Sequence, residues 1–234
     1  MKKQYFNMVE VLLALGVVVI GICSVMVLFP VGVNANRDAA VLDDSSNTAE
    51  QALHFIAYRF TNVFASDDTL WNTNRLSIPL ESADDESLPE NESYVESKKL
   101  SEEDHETISG QLQTASDWVT ESNATSGILH GADFTDCFYQ YSSKPYVFQV
   151  ISHRNPKGVK LGAPNFKEEL VDYRAIMVLT KSRIVFDTNE SGNEKLKYKF
   201  GFKLNAEISW PAERPYSQRK VMNYSIDIYR NAVN

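Results

Sequence analysis

The sequence carries no catalytic signature. It has no H-E-x-x-H pair, no Cys-x-x-Cys, no G-x-S-x-G elbow and no phosphate-binding glycine loop. The histidines His54, His105, His130 and His153 are scattered along the chain. Cysteine is scarce: Cys23 sits inside an apolar run and Cys137 lies far downstream, so the two do not read as a disulfide pair. Basic charge is also short. Lys and Arg number 23 against 31 Asp and Glu, the net charge is -8 and the pI is near 5.1. No basic patch stands out, which argues against a nucleic-acid interface. No internal repeat is visible. With 43% apolar residues the chain is nonetheless long and apolar enough to bury a core.

The acidic charge is concentrated. Residues 66–106 hold 3 Lys/Arg against 13 Asp/Glu, whereas residues 107–234 hold 16 against 13. A block of this kind reads first as a solvated loop.

The N-terminus holds a long apolar run, FNMVEVLLALGVVVIGICSVMVLFP, from Phe6 to Pro30. From Met8 to Phe29 its one charge is Glu10. A helix over the 24 residues Phe6–Phe29 would be roughly 36 Å long. The hydrocarbon core of a bilayer is about 30 Å thick, so the helix can span it. Lys2 and Lys3 precede it, and the positive-inside bias puts the N-terminus in the cytoplasm. A secretory signal has a shorter apolar core, about 7–15 residues, and a small-x-small exit that this run lacks. Ile20-Gly21-Ile22-Cys23 is a poor lipidation site, because Ile22 stands where a small residue is needed.

Glu10 separates a plain anchor from something more specific. A carboxylate in a membrane segment is costly without a partner. A chain cut just before Phe6 would carry an α-amino cation at its first residue and Glu10 at its fifth. Two such chains, staggered in the bilayer, could pair the amine of one with the carboxylate of the other.

The lysine-flanked run FNMVEVLLALGVVVIGI resembles the N-terminus of type IV pilins and of the pseudopilins of type II secretion systems. The resemblance covers about the first 30 residues. It implies a leader, residues 1–5, removed by a prepilin peptidase, N-methylation of Phe6, and an assembly role for Glu10. Gly16, Gly21 and Pro30 suit such a helix. Tyr5 departs from the pattern, since the family carries Gly or Ala before the cut. That leaves open an unprocessed chain or a peptidase of different preference.

Beyond the run, Pro30 removes a helix hydrogen bond and predicts a kink. Leu42, Ala49, Leu53, Ile56, Phe60 and Val63 or Phe64 then fall on one helical face, and Asn47 with Glu50 suits a helix start. An amphipathic helix over 31–65 is therefore expected, either continuing the first or restarting near Asn47. Residues 66–131 read as a loop-rich acidic insertion, with Leu70-Trp71 and Trp118-Val119 as islands able to dock. Residues 132–234 read as antiparallel strands: CFYQY, YVFQVIS, DYRAIMVLT, RIVFD, a strictly alternating run from Leu196 to Trp210, and a last strand through Met222, Tyr224, Ile226 and Ile228. The fold class is α+β, with a long N-terminal helix packed on a C-terminal antiparallel sheet. The segment ISWPAERPYSQRKVMNYSIDIYRN resembles the closing hairpin of minor pilin-like proteins.

One stretch imitates a calcium loop, through Asp187, Asn189 and Glu190. Tyr198 stands where a bidentate Glu is required, so a hairpin turn fits better and no cofactor is expected, with calcium at Asp187, Asn189 and Glu190 as the alternative. The reading at this level is a pilin-like structural subunit, held by one pass in the inner membrane with an extracytoplasmic head. Its expected partners are other pilin-like subunits and a prepilin peptidase, in a pilus or a secretion filament, with no nucleic acid. Two other readings compete. One is a binding module on a plain anchor that captures a partner with the acidic insertion. The other is a tethered enzyme, for which no constellation is visible.

Overall fold

The computed structural model describes residues 7–81, 100–119, 128–129, 138–153, 161, 166–186, 194–195 and 199–230. The chain divides at Asp44/Ser45 into two units.

Helix α1 runs from Met8 to Tyr58 and passes through Pro30 without a break. The second helical pattern therefore continues the first, with no restart at Asn47. In the first unit every large apolar side chain from Met8 to Val33 is exposed. That stretch is 26 residues, with a mean hydropathy of 3.0 over its apolar 18-residue centre, long and apolar enough to cross a membrane. In the second unit the same helix turns one face inward. Ala49, Ala52, Leu53, Ile56 and Phe60 are buried, at the i, i+3, i+4 spacing of an amphipathic helix. The last turns, Arg59–Phe64, widen to π-helix. That widening settles the end of the stripe, since Phe64 is buried and Val63 only half-buried.

The segment read as a loop-rich insertion holds regular structure. Helix α2 spans Asp68–Leu76 and α3 spans Glu102–Gly110. Each is started by a side-chain cap. The Asp67 carboxylate accepts from the Thr69 and Leu70 amides, and Ser101 forms a reciprocal capping box with Asp104. Trp71 of α2 is fully buried, edge-on to Phe60 at 5.6 Å and to Phe202 at 5.9 Å. Leu70 beside it stays exposed.

The sheet starts earlier than residue 132, with β1 (Trp118–Val119), and continues with β2 (Phe138–Tyr141), β3 (Val147–His153) and β4 (Val171–Ser182). Strands β5 (Val185–Phe186) and β6 (Glu194–Lys195) form a separate two-stranded ribbon. Strands β7 (Gly201–Trp210) and β8 (Lys220–Tyr229) complete the main sheet, in the order β1-β2-β3-β4-β7-β8. All of its pairings are antiparallel. Strand β7 begins at Gly201 and not at Leu196. Phe200, assigned to the core by alternation, is 53% exposed in a turn.

Register sorts the side chains between two faces. Met177 pairs with Ile208 and Leu179 with Ala206, and Ile228 faces Phe202. These residues share the face that receives α1, where Phe60 meets Phe202 edge-on at 5.1 Å. Ile176 and Val178 point the other way, into a cluster with Ile108 of α3, Leu112, Trp118, Tyr139 and Val147. Strand β4 is thus covered on both faces, which is why Tyr173–Leu179 is an unbroken buried run.

The last described residue, Arg230, closes the head. Its guanidinium donates to the Ala65 carbonyl at 3.0 and 3.2 Å and pairs with Asp68 at 2.5 Å. It also lies 5.4 Å above the Trp71 ring, and its amide donates to the Phe200 carbonyl.

Candidate functional site

Two regions carry functional potential, and each is built differently. The first is the exposed surface of α1 in the N-terminal unit. Glu10 lies in the first turn of the helix, where the partial positive charge of the helix end favours a carboxylate. Its amide donates to the Asn7 carbonyl at 2.9 Å, and Asn7 Oδ1 accepts from the Val9 amide at 3.4 Å. Its side chain is exposed. Further along, the Ser24 hydroxyl is satisfied within the helix, donating to the Ile20 carbonyl at 2.8 Å. Such internal satisfaction is what a hydrocarbon environment demands. A Cβ added at Gly16 or Gly21 would meet nothing within 4 Å. Nothing among the described residues therefore requires glycine at either position. Cys23 is free and exposed on the same helix.

Tyr5 and Phe6, the residues assigned to processing, lie outside the described residues, as do Asp187, Asn189 and Glu190 of the calcium-like turn. Among the described residues no group of three or more His, Cys, Asp or Glu side chains is placed to hold a metal ion.

The second region is in the head, on the sheet face that carries α3. Residues Lys203, Asn205, Glu207 and Ser209 of β7 project onto this face beside Asn223 and Ser225 of β8. The capping box of α3 sets its first turn and places His105 over this row. His105 is 1% exposed, and its ring stacks on Tyr216 with centroids 3.9 Å apart. Tyr216 comes from the connection between β7 and β8, and its hydroxyl donates to Glu207 at 2.6 Å. Arg219 is buried beside them. It donates to the Arg214 carbonyl at 2.8 Å and to the hydroxyls of Ser209 and Ser109. Ser109 in turn donates to the His105 carbonyl at 2.7 Å.

This setting controls protonation. Burial, with the Arg219 charge next, lowers the His105 pKa from 6.5 to about 4, so the imidazole is neutral at pH 7. Burial and the hydrogen bond to Glu207 push Tyr216 up to about 12. At the outer end of α3, Asp104 is held below its ordinary value mainly by Lys144, 2.5 Å away.

Between α3 and strands β7 and β8 lies a cavity of about 340 Å³. His105, Glu207, Asn205, Asn223 and Glu81 are among the residues that line it. The cluster has no signature in the sequence, because α3 and strands β7 and β8 are separated by about 90 residues or more. The one local signal was Ser101-Glu-Glu-Asp104, a capping-box start that fixes where His105 sits in its helix.

Compared with protein-family models, curated proteins and solved structures, the chain matches none.

Proposed function

We propose that the chain is a pilin-like structural subunit, a minor pilin or pseudopilin, assembled through its N-terminal helix. The observation that carries this reading is the Met8–Val33 stretch. It is one unbroken apolar helix with no side chain buried, a single carboxylate in its first turn, and direct continuation into the helix of an α+β head. A plain anchor has no use for Glu10. A subunit that docks on copies of itself does, if a neighbour supplies a cation at matching depth. In this reading the helix first holds the protein in the inner membrane, with the head on the extracytoplasmic side. It then packs among other subunits, the Phe6 amine of one chain pairing with Glu10 of the next after cleavage by a prepilin peptidase. The reading assigns the chain no catalytic role.

The test has two parts. The first is the intact mass and N-terminal sequence of the protein from its own cells. The expected chain begins at Phe6 and is heavier by one methyl group. The second is Glu10→Ala, expected to insert normally in membranes yet to drop out of assemblies by at least about tenfold, the size of one lost desolvated ion pair. Full incorporation of the alanine variant would sink the reading. A second reading, an anchored binding module, is favoured by Tyr5 at the cleavage position and by the net charge of residues 66–106. It expects an uncut N-terminus and tolerance of Glu10→Ala.

A further inference from the structure

Strand β8 is one edge of the main sheet, and among the described residues no strand pairs with its outer side. The Arg230 amide donates to the Phe200 carbonyl, and the register between β7 and β8 runs unbroken from there to Lys220. In an antiparallel ladder, residues alternate between bonding the neighbour and pointing away from it. Ile228, Ile226, Tyr224 and Met222 therefore bond to β7, as Arg230 does. Val221, Asn223, Ser225, Asp227 and Tyr229 aim their N–H and C=O groups outward. All five are exposed.

An edge of this kind is a template for another strand, and proteins blunt it with proline, bulges or charge. Between Lys220 and Arg230 there is no proline and one charge, Asp227. The ladder to β7 has no bulge. The side chains show the same deficit. On the α1 face Met222, Tyr224 and Ile226 are only half-buried, whereas Ile208, Ala206 and Leu204, their partners on β7, are buried. Strand β7 has a neighbour on that flank, and β8 lacks one.

The strand that fits this edge is β8 itself. Two identical edges related by a twofold axis meet antiparallel. Centred on Ser225, the pairing sets Val221 opposite Tyr229, Met222 opposite Ile228, Asn223 opposite Asp227 and Tyr224 opposite Ile226. Apolar side chains meet on the α1 face, and each outward N–H meets an outward C=O. Like charges face each other at the ends, Lys220 against Arg230, but Arg230 is already paired with Asp68. The next registers on either side would set Val221 against Asp227 or Met222 against Arg230.

We propose that two copies of this chain pair through β8, antiparallel about Ser225, and so join their sheets into one. The twofold axis stands normal to the sheet and reverses the sense of the helix layer. The contact therefore joins heads that approach from facing sides, not heads carried side by side in one orientation. It concerns the head alone and does not rest on how the N-terminal helix assembles.

The experiment is amide hydrogen exchange, read by NMR on the full chain in detergent micelles over a series of protein concentrations, with sedimentation equilibrium of the same samples. A monomer–dimer equilibrium with a Kd of about 100 µM or tighter is expected. The amides of Val221, Asn223, Ser225, Asp227 and Tyr229 should exchange freely in the dilute monomer and slow by at least about tenfold in the dimer. Those of Met222, Tyr224, Ile226 and Ile228 should be slow throughout. Ser225→Lys sets two cations against each other at the twofold axis, and Ser225→Pro removes an N–H that β7 does not use. Each should weaken the dimer by at least about tenfold and leave the melting temperature unchanged. If the proline variant melts lower, the lysine variant carries the comparison. Slow exchange of the five outer amides at every concentration would show that the chain covers its own edge, and would overturn the proposal. So would a chain that stays monomeric at about 1 mM, or a dimer that survives Ser225→Lys.

Discussion

At the residue scale, His105 shows how burial turns a titratable group into a stability determinant. Its folded pKa is depressed, so the unfolded chain binds the extra proton first as pH falls. The stabilisation is present in full above 6.5 and is lost as pH falls through about 4. Across that window the head should lose stability at up to about 1.4 kcal/mol per pH unit. Asp104 acts in the same direction, but only below its ordinary value of 3.8. Urea denaturation at a series of pH values should therefore show a slope between 6.5 and 4 that His105→Gln flattens. A slope unchanged by the substitution would mean that other groups carry the acid sensitivity. None of this was visible in the sequence, where His105 was one of several scattered histidines. A residue's burial depends on what arrives from elsewhere, here Tyr216 and Arg219 from the β7–β8 connection.

At the element scale, legibility followed periodicity. The helix stripe Ala49, Leu53, Ile56 and Phe60 and the alternation in β7 were both readable, because each element buries one face against a single layer. The start of β7 was misplaced for a physical reason. Apolar and charged residues keep alternating through Lys199, but Gly201 pairs with Tyr229, the last residue of β8, so the ladder ends where its partner ends. Helices α2 and α3 escaped notice because each has nine residues and mostly polar surface, which leaves the caps as the main signal. Just past the end of α1 four rings converge. Phe60 meets Phe64, Trp71 and Phe202 edge-on, with centroids 5.1–5.6 Å apart. Phe60→Ala should cost about 3–5 kcal/mol, read as a lower urea midpoint, since three rings lose their common partner. Thr61→Ala, on the outer side of the same turn, should cost well under about 1 kcal/mol. Equal losses would show that the π-helical turn matters for its backbone and not for its ring cluster.

At the scale of the whole molecule, the long-range order of contacts matters most. The face of α1 that enters the head is covered by strands β7 and β8, the last of the described strands. Arg230 fastens to Ala65 across 165 residues of sequence. A chain truncated before Lys220 keeps Phe202 but should strip part of the cover from Phe60 and Trp71, since Ile228, the cross-strand partner of Phe202, and the Arg230 clamp over Trp71 go with β8. It should be degraded by added protease at least about tenfold faster than the full chain, as expected when the open state dominates. Protease resistance equal to that of the full chain would show that β8 is dispensable. The Arg230 clamp also has a consequence for biosynthesis. The ribosome delivers Ala65 long before Arg230, so the apolar stripe of α1 emerges with nothing yet made to cover it. The head can close only after Arg230 has been made. Until then an apolar helix leads and an uncovered stripe follows, and the nascent protein depends on a holding factor or a lipid surface for the whole interval between the two ends of that clasp.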